Sequence, residues 1–165
     1  MELTDRQRVE RETFDRLVQE RTRGRSLLVP IDKPSFADYN GDLFFGAIKK
    51  MNFKGKRLLE IGCGSGEIAT WFALNGARSV IGVDISEESI RIAQHRANEN
   101  NVEGRVAFIA CAGESIPVPD GSFDVIFINV ALHHLELSAA LKECVRLLVN
   151  GGIFVAVEPL VRSSL

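Results

Sequence analysis

A carboxylate beside a glycine-rich turn, with a second carboxylate one strand later, can bind a nucleoside that carries a cationic tail. Here the first acid is Glu60, just ahead of Gly62-Cys63-Gly64-Ser65-Gly66, and the second is Asp84, closing the run VIGVD. Glycine permits a sharp turn, and its missing side chain lets a ligand touch the backbone. A phosphate loop would end in Gly-Lys-Ser/Thr, which is absent. Dinucleotide sites use GxGxxG, whereas Glu67 and Ile68 follow Gly66 in a GxGxG spacing. Glu60 argues further against a pyrophosphate, because a carboxylate there repels phosphates and favours a cation. Asp84 is placed to accept hydrogen bonds from two ribose hydroxyls. Its plainer reading is a helix start shared with Ser86, ahead of EESIRIAQHRANEN, since such residues suit helix N-termini. The three features together are far more specific than any one alone.

The elements that must position these groups are legible from residue 56 onward. Short apolar runs at 57–61, 79–83, 105–110, 123–129 and 152–158 alternate with helical segments near 66–75, 87–100 and 137–148. Strands that are apolar almost throughout and separated by helices imply a parallel sheet covered on both faces. The fold class is therefore α/β, a doubly wound, mainly parallel sheet with ligand sites outside the carboxyl ends of its strands. Upstream, residues 3–22 predict a charged helix capped by Thr4 or Asp5, with Val9, Phe14, Leu17 and Val18 as a thin apolar stripe. A solvated helix packed by one face is preferred there over a lid. Residues 23–35 read as a loop and 37–51 as a second helix. The division is an N-terminal helical extension or lid over 1–55 and one ligand-binding domain over 56–165.

Composition removes several function classes. The chain has 165 residues, 45% of them apolar, and a formal charge of −2 from 20 basic and 22 acidic residues. That balance carries no electrostatic footprint for nucleic acid or an anionic membrane. The three cysteines, Cys63, Cys111 and Cys144, form no CxxC pair, which argues for free thiols and against a metal site. No apolar stretch is long enough to span a bilayer, and the N-terminus is charged, so a soluble, cytoplasmic protein is expected.

Four stretches, LLEIGCGSGEIA, VIGVDISEESIRIAQ, GESIPVPDGSFDVIFINVALHHL and ECVRLLVNGGIFVAVEP, resemble the class I S-adenosylmethionine-dependent methyltransferases. The likeness covers 56 to about 160 and is closest to the group containing the ubiquinone and menaquinone biosynthesis enzymes. It implies a Rossmann-like methyltransferase fold, S-adenosylmethionine as cofactor and S-adenosylhomocysteine as product. Glu60, Gly62, Cys63 and Gly64 would then hold the methionine part and Asp84 the ribose. Ile85 would pack on adenine, Gly113 and Glu114 would border it, and Asn129 and Val130 would line the methyl side. Where relatives commonly read D-A-E-x-L-P, this chain reads Ala112-Gly113-Glu114-Ser115-Ile116-Pro117. Ala112 thus replaces the acid that accepts from the adenine amino group, a loss of roughly 1 kcal/mol.

Methyl transfer from a sulfonium needs alignment more than it needs a metal or a covalent intermediate. A base is required only for an acceptor that must lose a proton, and the candidate is His134, ahead of its neighbour His133. The plainer reading of the pair is one packed and one solvated histidine. Tyr39, the only tyrosine, is either an aromatic over the cofactor or a structural residue, and Trp71 is expected in the core. Asn129 is followed by Val130-Ala131, not by the Pro-Pro-aromatic run of adenine-amino methyltransferases, and the Pro-Cys pair of cytosine-carbon methyltransferases is absent. A small-molecule acceptor is favoured over nucleic acid.

Relatives continue past the fifth strand with a helix and an antiparallel hairpin, while this chain ends at Leu165. The expected order 3-2-1-4-5 leaves strand five as an open edge, which invites pairing. A fragment, or a short form completed by a partner or homodimer, would fit. A cofactor-binding module without catalysis of its own is the alternative reading.

Overall fold

The computed structural model describes residues 3–31, 48 and 50–158. Helix α1 (Asp5–Thr22) precedes strand β1 (Arg57–Ile61), helix α2 (Glu67–Leu74), β2 (Ser79–Asp84), α3 (Glu87–Glu99), β3 (Val106–Ala110) and β4 (Phe123–Asn129). A short 3-10 turn (Leu132–His134), helix α4 (Leu137–Leu147) and β5 (Leu148–Val157) complete the order. The strands form a five-stranded sheet in the order β3-β2-β1-β4-β5, with every pairing parallel. Apolar residues on both sides of each strand are what a sheet covered on two faces requires. Leu58, Val80, Val125 and Phe127 pack with Ala69, Phe72, Ala73, Ile90 and Ala93 of α2 and α3 on one face. Leu59, Ile61, Val83, Ile126 and Ile128 pack with Cys144 and Leu147 of α4 on the other. The period-two alternation of β1 thus assigns its neighbours to opposite layers. Trp71 is core, as expected, and its indole N–H donates to the Ile31 carbonyl at 2.9 Å.

The ends of the helices place the loops at the carboxyl edge. Thr4 caps α1 in a reciprocal capping box with Gln7, and Ser86 caps α3 through the Ser89 N–H. Of the two acids and hydroxyls available at each start, the hydroxyl is used, and Asp84 is left at the strand end. The loop after α1 is tied down over its described part, since Val29 is buried and its N–H donates to Asn100 Oδ1 at 2.9 Å.

Three expectations need correction or fall outside view. The fifth strand begins at Leu148 rather than 152, directly after α4. Leu148 opposes Phe123 and Ile153 opposes Val125, so the Asn-Gly-Gly stretch bulges out where the sequence reads as a turn. Val9 does not belong to the apolar face of α1; it is 64% exposed. Tyr39 and most of the predicted helix 37–51 lie outside the described residues.

Candidate active site

Beyond the carboxyl ends of β1, β2 and β4 lies a cavity of about 410 Å³, a size suited to one small ligand. All eleven positions singled out by sequence meet there. Glu60, Gly62, Cys63 and Gly64 enter from β1 and its turn, and Asp84 and Ile85 from the end of β2. Gly113 and Glu114 come from the segment after β3, and Asn129, Val130 and His134 from the end of β4 and the turn beyond it.

Two glycines show why the turn is bare. Gly62 has φ 74°, and a Cβ there would come within 2.4 Å of the Ala131 side chain, so the turn can touch the β4 loop only without one. Gly64 has φ 49° and nothing within 4 Å of the Cβ position; its backbone faces open space. Its N–H donates to Asp84 Oδ2 at 2.8 Å, and the Ser86 N–H donates to Asp84 Oδ1 at 2.9 Å. Each carboxylate oxygen retains a further lone pair. Burial raises the Asp84 pKa, and the charge of Asp15 adds to the effect, while the two N–H donors oppose it.

Glu60 is the most unusual group in the cavity. It is 2% exposed, and its Oε2 has no hydrogen-bond partner among the described residues. Burial pushes its pKa well above the ordinary carboxylate range, and the charges of Asp84 and Glu67 push the same way against the Ala69 N–H. An orphaned buried carboxylate is costly until a cation meets it. The neighbouring Cys63 thiol is also raised, first by burial and then by Asp84 and Glu60, so it is no activated nucleophile.

The β4 exit is strained. Val130, a β-branched residue, sits at φ 53°, a conformation that L-residues of this shape rarely adopt. Its N–H donates to the Val157 carbonyl at 2.8 Å. Glu158 Oε1 accepts from the N–H groups of Ala131 and Leu132, and Oε2 meets His133 Nδ1 at 2.7 Å. His133 is thereby held by Glu158, while His134 faces the cavity, its Nδ1 3.7 Å from Glu10 Oε1 and its ring edge-on to Phe14.

Helix α1, read from sequence as a solvated helix in preference to a lid, supplies one wall of the cavity. Gln7, Glu10, Phe14, Leu17, Val18 and Arg21 line the cavity at helical spacing. The helix buries no residue fully and is docked by polar contacts. Asp15 Oδ1 accepts from the Ser86 hydroxyl at 2.5 Å and the Glu88 N–H at 3.2 Å. Gln7 Nε2 donates to Glu114 at 3.3 Å, and Arg6 donates to the His134 carbonyl. The signal was present as a face shared by Phe14, Leu17 and Val18 with the polar Gln7 and Glu10. Among the described residues no cluster of His, Cys, Asp and Glu could hold a metal ion, and no helix is long and apolar enough to cross a membrane.

Residues 59–156 match the family described as a methyltransferase domain. The chain belongs to the class I S-adenosylmethionine-dependent methyltransferases. Among curated relatives, the 27-O-demethylrifamycin SV methyltransferase of Amycolatopsis mediterranei is 38% identical over 59% of this chain and 36% of its own. The ubiquinone/menaquinone biosynthesis C-methyltransferase UbiE of Yersinia pestis is 31% identical over 64% of this chain and 43% of its own. The chain thus spans less than half the length of these relatives. The crystal structure of geranyl diphosphate C-methyltransferase from Streptomyces coelicolor, in complex with Mg2+, geranyl diphosphate and S-adenosyl-L-homocysteine, shares the fold. Its TM-score is 0.75 at 18% identity, covering 94% of this chain and 65% of that one.

Proposed function

We propose that this domain transfers a methyl group from S-adenosylmethionine to a small-molecule acceptor by direct displacement. The observation that carries the reading is the buried Glu60, whose Oε2 has no partner among the described residues, beside a bare glycine turn and in one cavity with Asp84. When bound, S-adenosylmethionine would supply an electrophilic methyl carbon to the acceptor lone pair, with S-adenosylhomocysteine as the other product. Glu60 faces the α-ammonium, and the backbone of Gly62, Cys63 and Gly64 holds the methionine part. Asp84 accepts from the ribose hydroxyls through its remaining lone pairs. Ile85, Gly113 and Glu114 enclose the adenine. Asn129 and Val130 line the methyl side, and α1 with Phe14 and Glu10 closes the acceptor end as a lid.

His134 is the proposed base for an acceptor that must lose a proton. It is the histidine of the pair that faces the cavity. A pH–rate profile unchanged by His134→Ala would remove it from that role. The three free cysteines accord with a reducing, cytoplasmic setting.

A second reading, an S-adenosyl-binding module without catalysis of its own, is favoured by Ala112. Its methyl group lines the cavity where relatives place an acid toward adenine. Edge strand β5 is where a partner or second copy would complete the sheet. The deciding experiment is calorimetric titration with S-adenosylhomocysteine beside an Asp84→Ala variant checked for folding. Micromolar binding that weakens at least tenfold in the variant is expected, a difference of about 1.4 kcal/mol. No binding by the folded wild-type chain would refute the cofactor assignment. Binding without methyl transfer across a broad acceptor panel would favour the module.

A further inference from the structure

Main-chain bonds hold the two ends of the GCGSG turn, the Gly62 and Cys63 N–H groups donating to the Val83 carbonyl at 2.8 and 3.0 Å and the Gly66 N–H to the Cys63 carbonyl at 2.9 Å, and side chains hold its middle, Gly64 and Ser65. Gly62, Gly64 and Gly66 all lie at positive φ, in a chain segment with more freedom to lose than any other. Two neighbours clamp it from opposite sides. On the cavity side, Asp84 accepts the Gly64 N–H. On the far side, Arg96 of α3 donates from Nε to the Ser65 carbonyl at 2.8 Å and from Nη2 to Ser65 Oγ at 3.3 Å. Its remaining arm, Nη1, donates to the Leu27 carbonyl at 3.0 Å. Arg96 is 6% exposed, and the acceptors it meets among the described residues are neutral oxygens. Burial draws its pKa below the ordinary value, while Glu67 supports the charge. A buried cation held by carbonyls is poor value as a stabiliser alone. Asn100, one helical turn further on, grips the same strap, donating to the Leu27 carbonyl at 3.0 Å and accepting from Val29.

We infer that Arg96 is a positioning residue for the cofactor turn. It pins the Ser65 peptide against α3 and so fixes the Gly64–Gly66 backbone that faces the cavity. The inference rests on the cofactor reading above. Asn100 is the comparison: it holds the strap and, through Nδ2 at 2.8 Å, the main-chain carbonyl of Arg96, but its hydrogen bonds do not reach the turn.

The test compares wild type with Arg96→Met, Arg96→Lys and Asn100→Ala by hydrogen exchange on the ligand-free chain and by S-adenosylhomocysteine calorimetry. The exchange readout is the Gly64 and Gly66 amides, which bond to Asp84 Oδ2 and the Cys63 carbonyl. Methionine keeps the stem and removes the fork, so exchange at both amides should rise, and affinity fall, by roughly tenfold or more. Lysine, which returns one donor, should recover part of both. Asn100→Ala should lower the thermal midpoint and, since it leaves the Arg96 bonds to Ser65 in place, should disturb both loop readouts far less than Arg96→Met does. Unchanged loop exchange and affinity in Arg96→Met would overturn the inference, as would equal losses in Asn100→Ala. Should the methionine variant not fold, the lysine variant decides, and a wild-type loop in it counts against the role. A wild-type chain that binds no S-adenosylhomocysteine would sink the cofactor reading, while exchange still settles whether Arg96 shapes the turn.

Discussion

Replacing Glu60 by glutamine keeps the shape of the side chain and removes its charge, and the consequences differ for folding and for binding. In the ligand-free chain the carboxyl is buried and Oε2 has no partner among the described residues, and burial holds its pKa well above the ordinary carboxylate range. Between the unfolded and folded values the native state holds one more proton than the unfolded state. Stability contributed by this group is therefore full below about pH 4.5 and is lost as pH rises through the window, with a limiting slope of about 1.4 kcal/mol per pH unit. Asp84, also raised by burial, adds a component of the same sign. Urea unfolding of Glu60→Gln across pH 5 to 8 should show a shallower slope than wild type, leaving only the Asp84 part.

Binding runs the other way. An α-ammonium favours the ionised carboxylate, so S-adenosylhomocysteine should expel a proton from Glu60 and bind more tightly as pH rises through the free-state pKa. The limit is about tenfold per pH unit. A charge-assisted hydrogen bond contributes about 1.5–3 kcal/mol, so Glu60→Gln should bind about 10- to 100-fold more weakly at neutral pH. Calorimetry in buffers of different ionisation enthalpy would count the released proton directly. A variant with wild-type affinity and an unchanged pH dependence of binding would refute the argument that Glu60 meets a cation.

Two further outcomes can be checked on the same footing. Ala112→Asp, which restores an acceptor at a buried cavity position, should tighten S-adenosylhomocysteine binding by about five- to tenfold in calorimetry; weaker binding would mean that the added charge in an already acidic cavity dominates. Val130→Asn places a residue that tolerates the left-handed region at φ 53°, and should raise the unfolding free energy by about 1 kcal/mol, read as a higher urea midpoint at an unchanged m-value. A fall in stability would show that the valine packing outweighs its strain.

The chain order of elements, the parallel sheet and the position of the cofactor motifs were legible because each rests on local signals. Apolar runs of strand length, helical periodicity and a glycine turn beside an acid are written in neighbouring residues. The start of β5 was misread for a physical reason. Asn150-Gly151-Gly152 has turn composition, but the pairing of Leu148 with Phe123 and of Ile153 with Val125 holds it in the ladder as a bulge, and such pairing is a long-range fact. Helix α1 has the composition of a solvated helix and buries no residue fully; that its Gln7, Glu10 and Phe14 face the cavity is a tertiary fact, and Val9 lies off that face.

By itself the sequence determined which groups could meet a cationic nucleoside. Glu60, the glycines and Asp84 lie at strand ends, and strand ends in a parallel sheet converge on one edge. Only the tertiary structure decided what surrounds them. It left Glu60 Oε2 without a partner among the described residues, sent His134 toward the cavity and His133 to Glu158, and laid Gln7, Glu10 and Phe14 along the cavity wall. It also set Arg96 behind Ser65. Those outcomes depend on contacts between residues far apart in the chain, and no local pattern encodes which of two adjacent histidines turns inward.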